Sequence, residues 1–124
     1  MNSIDSSRAP RALGPYPHAR RVGNLLFLSG IGPRHPKTER IPEGIEAQTR
    51  ACVENVRVIL EDAGSALEKV VDVTVFLTDM DRDFATFNRV YGEYFGGIRP
   101  TRTTVGVVAL PVPISVELKV VAEA

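Results

Sequence analysis

Val70-Val71-Asp72-Val73-Thr74-Val75-Phe76-Leu77-Thr78 is the stretch on which the fold turns. Its residues alternate, with Val71, Val73, Val75 and Leu77 on one side and Asp72 and Thr74 on the other. That period of two predicts a half-buried strand. Upstream the period lengthens. Ile45, Cys52, Val53, Val56, Ile59, Leu60 and Ala63 share one helical face, with Gly64 at the C-cap. Glu46, Gln48, Arg50, Glu54, Arg57 and Glu61 take the outer face. Downstream, Asp81 or Asp83 caps a second helix, whose apolar stripe is Phe84, Phe87, Val90, Tyr91, Tyr94 and Phe95; Gly96-Gly97 ends it.

The flanks complete the pattern. Leu25 to Gly30 is a short apolar run that reads as a buried strand. The Pro-rich stretch Gly32 to Gly44 reads as a loop with a strand near Ile41. Two last strands run from about Thr101 to Ala109 and from about Ile114 to Ala122. In the second, Ile114, Val116, Leu118, Val120 and Ala122 share one face, while Ser115, Glu117 and Lys119 share the other. Residues 1–13 read as a loosely ordered arm with room for one short strand. The expectation is a single α+β domain over residues 1–124, a mixed sheet with both helices on one face. The opposite face still carries Val70, Phe76, Val108 and Val121 among Thr, Arg and Glu. Packing against copies of the same chain would cover it, so a homo-oligomer is expected.

Composition narrows the function classes. Fifteen Lys and Arg balance fifteen Asp and Glu, so no overall field recruits nucleic acid or a membrane surface. Cys52 is the single cysteine, which forbids an intrachain disulfide and suits a reducing compartment. With His18 and His35 it makes a metal inventory without ligand spacing, and neither a metal nor another cofactor is expected. The first residues lack the apolar core of a signal peptide, and no apolar run approaches the ~20 residues that span a bilayer. The cytosol is the expected location.

The chemistry concentrates between Arg99 and Glu117, where two strand-like runs flank a Pro-rich turn. Arg102 lies in one run and Glu117 in the other. Arginine grips a carboxylate through two parallel hydrogen bonds, and glutamate polarises a water or moves a proton. A carboxylate clamp beside a proton carrier implies a site for a small acid. A rim arginine and a structural Glu117–Lys119 or Glu117–Arg102 salt bridge stand as the alternatives.

Several further motifs occur in a set order: Gly14-Pro15-Tyr16-Pro17-His18-Ala19, Phe27-Leu28-Ser29-Gly30, Gln48-Thr49 with Asn55, Phe84 to Asn88 with Tyr91 and Phe95, Pro100-Thr101-Arg102, and Leu110-Pro111 with Glu117. Together they resemble the reactive intermediate deaminase superfamily, also called the Rid or endoribonuclease L-PSP family, from about Gly14 to Ala122. The resemblance implies a chorismate-mutase-like fold, a homotrimer with active sites between subunits, and cofactor-free hydrolysis of imines and enamines to carbonyl compounds and ammonia. It assigns Arg102 to the substrate carboxylate and Glu117 to the reacting water. Tyr16, Ser29 and Asn88 fall at cleft positions of the family, and Thr104 stands where relatives often have Cys.

Two departures refine the expectation. Pro17-His18 replaces the commoner Ser-Gln, and Arg20 stands where an apolar residue is usual. The Tyr16 to Arg20 run and Ser29-Gly30-Ile31-Gly32-Pro33-Arg34 are similar to the 2-aminomuconate deaminase branch. That substrate carries two carboxylates, and an unpaired anion in a cleft is costly. His18, Arg20, Arg34 and His35 are the candidates for the second, and His18 or Glu117 for the proton returned to the departing ammonia. Each also has a bland reading. His18 suits a hydrogen-bonded loop, Arg34 and His35 a solvated one, Tyr16 an aromatic lid, Ser29 backbone satisfaction, Asn88 a bond to a neighbouring strand, and Cys52 an inert buried thiol. A broad 2-iminoacid hydrolase, a keto-acid-binding trimer and a ribonuclease are the competing functions.

Overall fold

The computed structural model describes residues 2–124. In chain order the elements are β1 (Ser3–Ile4), β2 (Ala19–Val22), β3 (Leu25–Leu28), α1 (Ile45–Asp62), a 3-10 turn (Leu67–Lys69), β4 (Val70–Leu77), α2 (Met80–Phe95), β5 (Thr101–Gly106) and β6 (Val116–Glu123). The strands form one mixed six-stranded sheet in the order β1-β2-β3-β6-β4-β5. Only β4 and β5 run parallel, because α2 returns the chain to the same end of the sheet between them.

Both helices press one face of the sheet. Val73, Val75, Leu77, Val116, Leu118, Val120 and Ala122 alternate inward from β4 and β6 and are buried against Cys52, Val53, Val56, Ile59, Phe87 and Phe95. This is the α+β arrangement the two periods predict. Gly64, with φ of 83°, follows Ala63 at the end of α1, and the Ser65 N–H reaches back to the Leu60 carbonyl, closing the helix with a left-handed turn.

Several details depart from the sequence reading. The cap of α2 is Asp79, whose side chain accepts from the Arg82 N–H, while Asp83 lies buried one turn later in a bidentate pair with Arg82. A bulge between Val70 and Asp72 turns Val71 outward, and Val70 joins the core instead of the open face. Val108 is fully exposed beyond the end of β5, and no strand forms near Ile41. Gln48 is buried rather than outward. Its side-chain NH donates to the Pro42 carbonyl and its oxygen accepts from the Ser115 N–H, tying both flanks of α1 and β6 together.

The arm is also docked rather than loose. Ser3 and Ile4 pair with β2, and Asp62 accepts from Ser6 and Arg8. His18 receives the Ser6 N–H on Nδ1 at 2.9 Å, and its Nε2 donates to the Pro10 carbonyl at 2.7 Å. Both bonds are buried, so His18→Ala leaves two backbone groups unsatisfied. The expected cost is about 1–3 kcal/mol, read as a lower denaturation midpoint and faster proteolysis before residue 11.

Candidate active site

Glu117 sits on the face of β6 turned away from the helices, paired with Phe76 of β4. Burial pushes its carboxyl above the ordinary glutamate range, and no cation or hydrogen-bond donor among the described residues meets it. Lys119, one alternative salt-bridge partner, instead donates to the Leu28 carbonyl. A half-buried, unpaired carboxylate whose proton affinity is raised is suited to accept and return a proton.

The chain segment after β3 closes on this carboxylate. Ile31 exchanges both backbone hydrogen bonds with Leu118, at 2.8 and 2.9 Å, which lays Gly30 beside Glu117. A Cβ at Gly30 would lie 2.5 Å from Glu117 Oε2, so only glycine allows the approach. Asn55 on α1 fixes the same segment, donating to the carbonyls of Gly32 and Arg34 at 2.9 Å each. For Gly30→Ala the side chain must shift. We expect kcat/KM to fall at least about tenfold with little loss of thermal stability, read in parallel kinetic and melting series.

The resulting cleft is lined by Tyr16, His18, Ser29, Gly30, Arg34, Ile114 and Glu117, with Arg11, Leu13, Pro111 and Val112 at its walls. Tyr16 is exposed, and its hydroxyl accepts from the Leu13 N–H. Ser29 donates its hydroxyl hydrogen to the Pro17 carbonyl at 2.7 Å, leaving its lone pairs toward a ligand and no base to make it a nucleophile. His18 lines the wall, but both ring nitrogens are committed to backbone groups of the arm. It has none left for substrate, which removes it as a proton carrier.

Arg102 is elsewhere. It pairs with Val73, whose side chain enters the core, so it stands on the helix side of β5. Its guanidinium lies 4.8 Å from the Tyr91 ring centre, 5.7 Å from Phe87 and 5.9 Å from Phe84. No carboxylate or carbonyl among the described residues takes its hydrogens. Stacked and unpaired, its planar fork is held ready for an anion. Thr104 follows on the same side with a buried, unpartnered Oγ1, and Asn88 lies in the α2 row between Phe84 and Tyr91. Tyr91 is buried, and its hydroxyl also lacks a partner; burial pushes it up to about 12.

Two strand runs flanking one turn suggested Arg102 and Glu117 side by side; within one chain the structure overturns that placement. β4 runs between β5 and β6, and the two residues face opposite sides of the sheet. Arg20 does not enter the cleft either; it stands on the open face of β2, paired with Phe27. His35 is exposed in its loop, where its Nδ1 accepts from the N–H groups of Lys37 and Thr38. Cys52 is fully buried, with its thiol pushed well up by burial. What the sequence reading missed is the role of residues it had only quoted as motifs, Gly30 and Asn55, and the depth of Arg34. Polar amides at positions 48 and 55 on an otherwise apolar helix face were the available signal.

Comparison with known proteins concerns the chain as a whole. The family described as Endoribonuclease L-PSP matches residues 6–124. A RutC family protein of Pyrococcus horikoshii is 46% identical over 120 residues, covering 96% of this chain and 94% of the relative. TdcF of Escherichia coli K12, named for reactive intermediate deamination, is 38% identical over 122 residues, covering 96% and 94%. Among solved structures, E. coli TdcF with bound serine superimposes with a TM-score of 0.93 at 37% identity, covering all of this chain and 99% of TdcF. A yeast protein, YEO7, reaches 0.94 at 36% identity, covering 98% and 96%.

Proposed function

The chain belongs to the endoribonuclease L-PSP family of Rid proteins, and from that membership we propose that it is a cofactor-free deaminase hydrolysing an enamine or imine acid to the oxo acid and ammonia. The observation that carries this reading is Glu117, unpaired and half-buried in a cleft, with its carboxyl raised by burial. Protonation of the enamine at carbon gives an iminium. Glu117 takes a proton from water as the water oxygen bonds to the iminium carbon, and returns it to nitrogen as the C–N bond breaks. The hydroxyl proton passes to solvent as the C=O forms, offsetting the one taken up at carbon. Arg102 holds the carboxylate next to that carbon. Acid–base help of this kind is worth ~10²–10⁴-fold, enough for an intermediate that already hydrolyses unaided.

The assembly we propose is a homotrimer with active sites between subunits. One chain places Arg102 and Glu117 on opposite faces of its sheet, so a complete site needs a second copy to bring an arginine to the cleft. Val22, Leu25, Phe27 and Val71 are exposed, the kind of surface that self-association covers. A ribonuclease reading finds less support: Arg8, Arg50, Arg57, Arg82 and Arg89 are each tied to carboxylates rather than forming a free basic stripe.

The substrate we place first is 2-aminomuconate, for the Tyr16–Arg20 and Ser29–Arg34 runs and the cations near them. The test is ammonia release from freshly generated 2-aminomuconate and from 2-iminopropionate. Acceleration of the first supports the full reading. Acceleration of the second alone keeps the deaminase and removes the diacid. Acceleration of neither, with a keto acid still bound, would replace the enzyme by a binding trimer. Among the described residues, no helix is long and apolar enough to cross a membrane.

A further inference from the structure

Four cations were available to meet a second carboxylate, and the cleft selects among them. His18 is committed to the arm, Arg20 stands on the open sheet face, and His35 faces solvent. Arg34 lines the same cleft as Glu117, with its side chain only 11% exposed. Arg11 lines the rim beside it.

The electrostatics of this pair are unbalanced. Arg34 Nη1 and Arg11 Nη2 both approach the same oxygen of Glu39, at 2.8 and 3.2 Å. Two guanidinium groups therefore share one carboxylate at this edge of the cleft. Arg34 Nη2 also donates to the Arg11 carbonyl at 2.6 Å. These contacts engage two of its five N–H groups, and the others have no partner among the described residues.

The support beneath Arg34 is rigid on both sides. Asn55 holds its backbone carbonyl from α1. Glu39 adopts φ of 62°, a left-handed conformation uncommon for a residue with a long side chain. It is held there by the Glu39 N–H to His35 carbonyl bond and by the His35 N–H to Arg40 carbonyl bond, both 2.9 Å. A residue kept in such a conformation to aim its carboxylate at two arginines fits the pattern of strain stored where a ligand is positioned.

We propose that Arg34, seconded by Arg11 and oriented by Glu39, grips the second carboxylate of a dicarboxylic enamine and so determines specificity for diacids over monoacids. This rests on the deaminase reading for its reaction, but its recognition step is measurable without turnover. The experiment takes the assembled protein and compares wild type, Arg34→Gln and Arg34→Lys in two assays. One is the ratio of kcat/KM for 2-aminomuconate to that for 2-iminopropionate. The other is calorimetric binding of unreactive muconate against pyruvate.

The expected result is a ratio lowered by about 10- to 100-fold in Arg34→Gln, carried by KM, with muconate affinity lowered in parallel and partly restored in Arg34→Lys. Equal losses on both substrates and both ligands would make Arg34 a brace of the arm and overturn the proposal. An unchanged ratio with unchanged muconate binding would overturn it equally. If neither substrate turns over but muconate binding still depends on Arg34, the diacid site stands and the deaminase reading falls.

Discussion

Glu117→Gln is expected to lower kcat for ammonia release by about 10²–10⁴-fold while the protein stays folded. The amide keeps the shape beside Gly30 but can neither take the proton of the attacking water nor hand one to the departing nitrogen. The pH dependence carries the same signature. In the proposed mechanism Glu117 is the base in its ionised form, and burial holds its carboxyl above the ordinary glutamate value. In the wild type kcat/KM therefore rises with pH through that elevated value to a plateau. The variant lacks the acidic limb attributable to residue 117.

Stability moves the other way. A carboxyl whose folded pKa is raised above its unfolded value contributes stability fully below the unfolded pKa and loses it as pH rises through the folded one. At neutral pH the ionised Glu117 is a small liability, reduced further because the group is partly solvated. Glu117→Gln should melt at the same temperature as wild type or slightly above it at pH 7, with the difference vanishing in acid. A clear fall in melting temperature together with lost activity would mean that Glu117 holds the structure rather than the proton.

Arg102→Ala is expected to cost about 10²-fold or more in kcat/KM, mainly through KM, because it removes the fork that orients the substrate carboxylate. Arg102→Lys restores little, since an ammonium offers no planar fork over Tyr91 and no pair of parallel bonds. Mixing Arg102→Ala with Glu117→Gln after dissociation and reassembly then tests where the site lies. If each site takes its arginine and its glutamate from different copies, random mixing restores up to about a quarter of the wild-type activity. No restoration on mixing would return both residues to a single chain.

The sequence pattern made much of this molecule legible. The change of period around Val70 specified strand between helices, because the direction in which a side chain leaves a strand or helix is set by local geometry. Ile114 to Ala122 alternates as expected, so Glu117 could be assigned to the face away from the core before any tertiary contact was known. Local pattern does not name a strand's neighbours, however. Arg102 and Glu117, fifteen residues apart by their numbering, read as a hairpin, yet α2 returns the chain so that β4 pairs with β5 and also with β6. Gln48 was misplaced for a related reason: its polarity suggested solvent, whereas it is buried because backbone groups of two segments supply its hydrogen bonds. For His18 the same kind of bonds decide between catalyst and hydrogen-bonded loop residue in favour of the second.

The sequence by itself determined the elements, the core face of the last strand and the residue types a small-acid deaminase needs. Only the tertiary structure decided that Arg102 and Glu117 face apart, that His18 straps the arm, and that Arg34 rather than Arg20 reaches the cleft. The physical reason is range. Periodicity records which way a side chain points relative to its own backbone, while a site is made by groups whose separation depends on strand order, buried hydrogen bonds and shared charges between residues far apart in the chain.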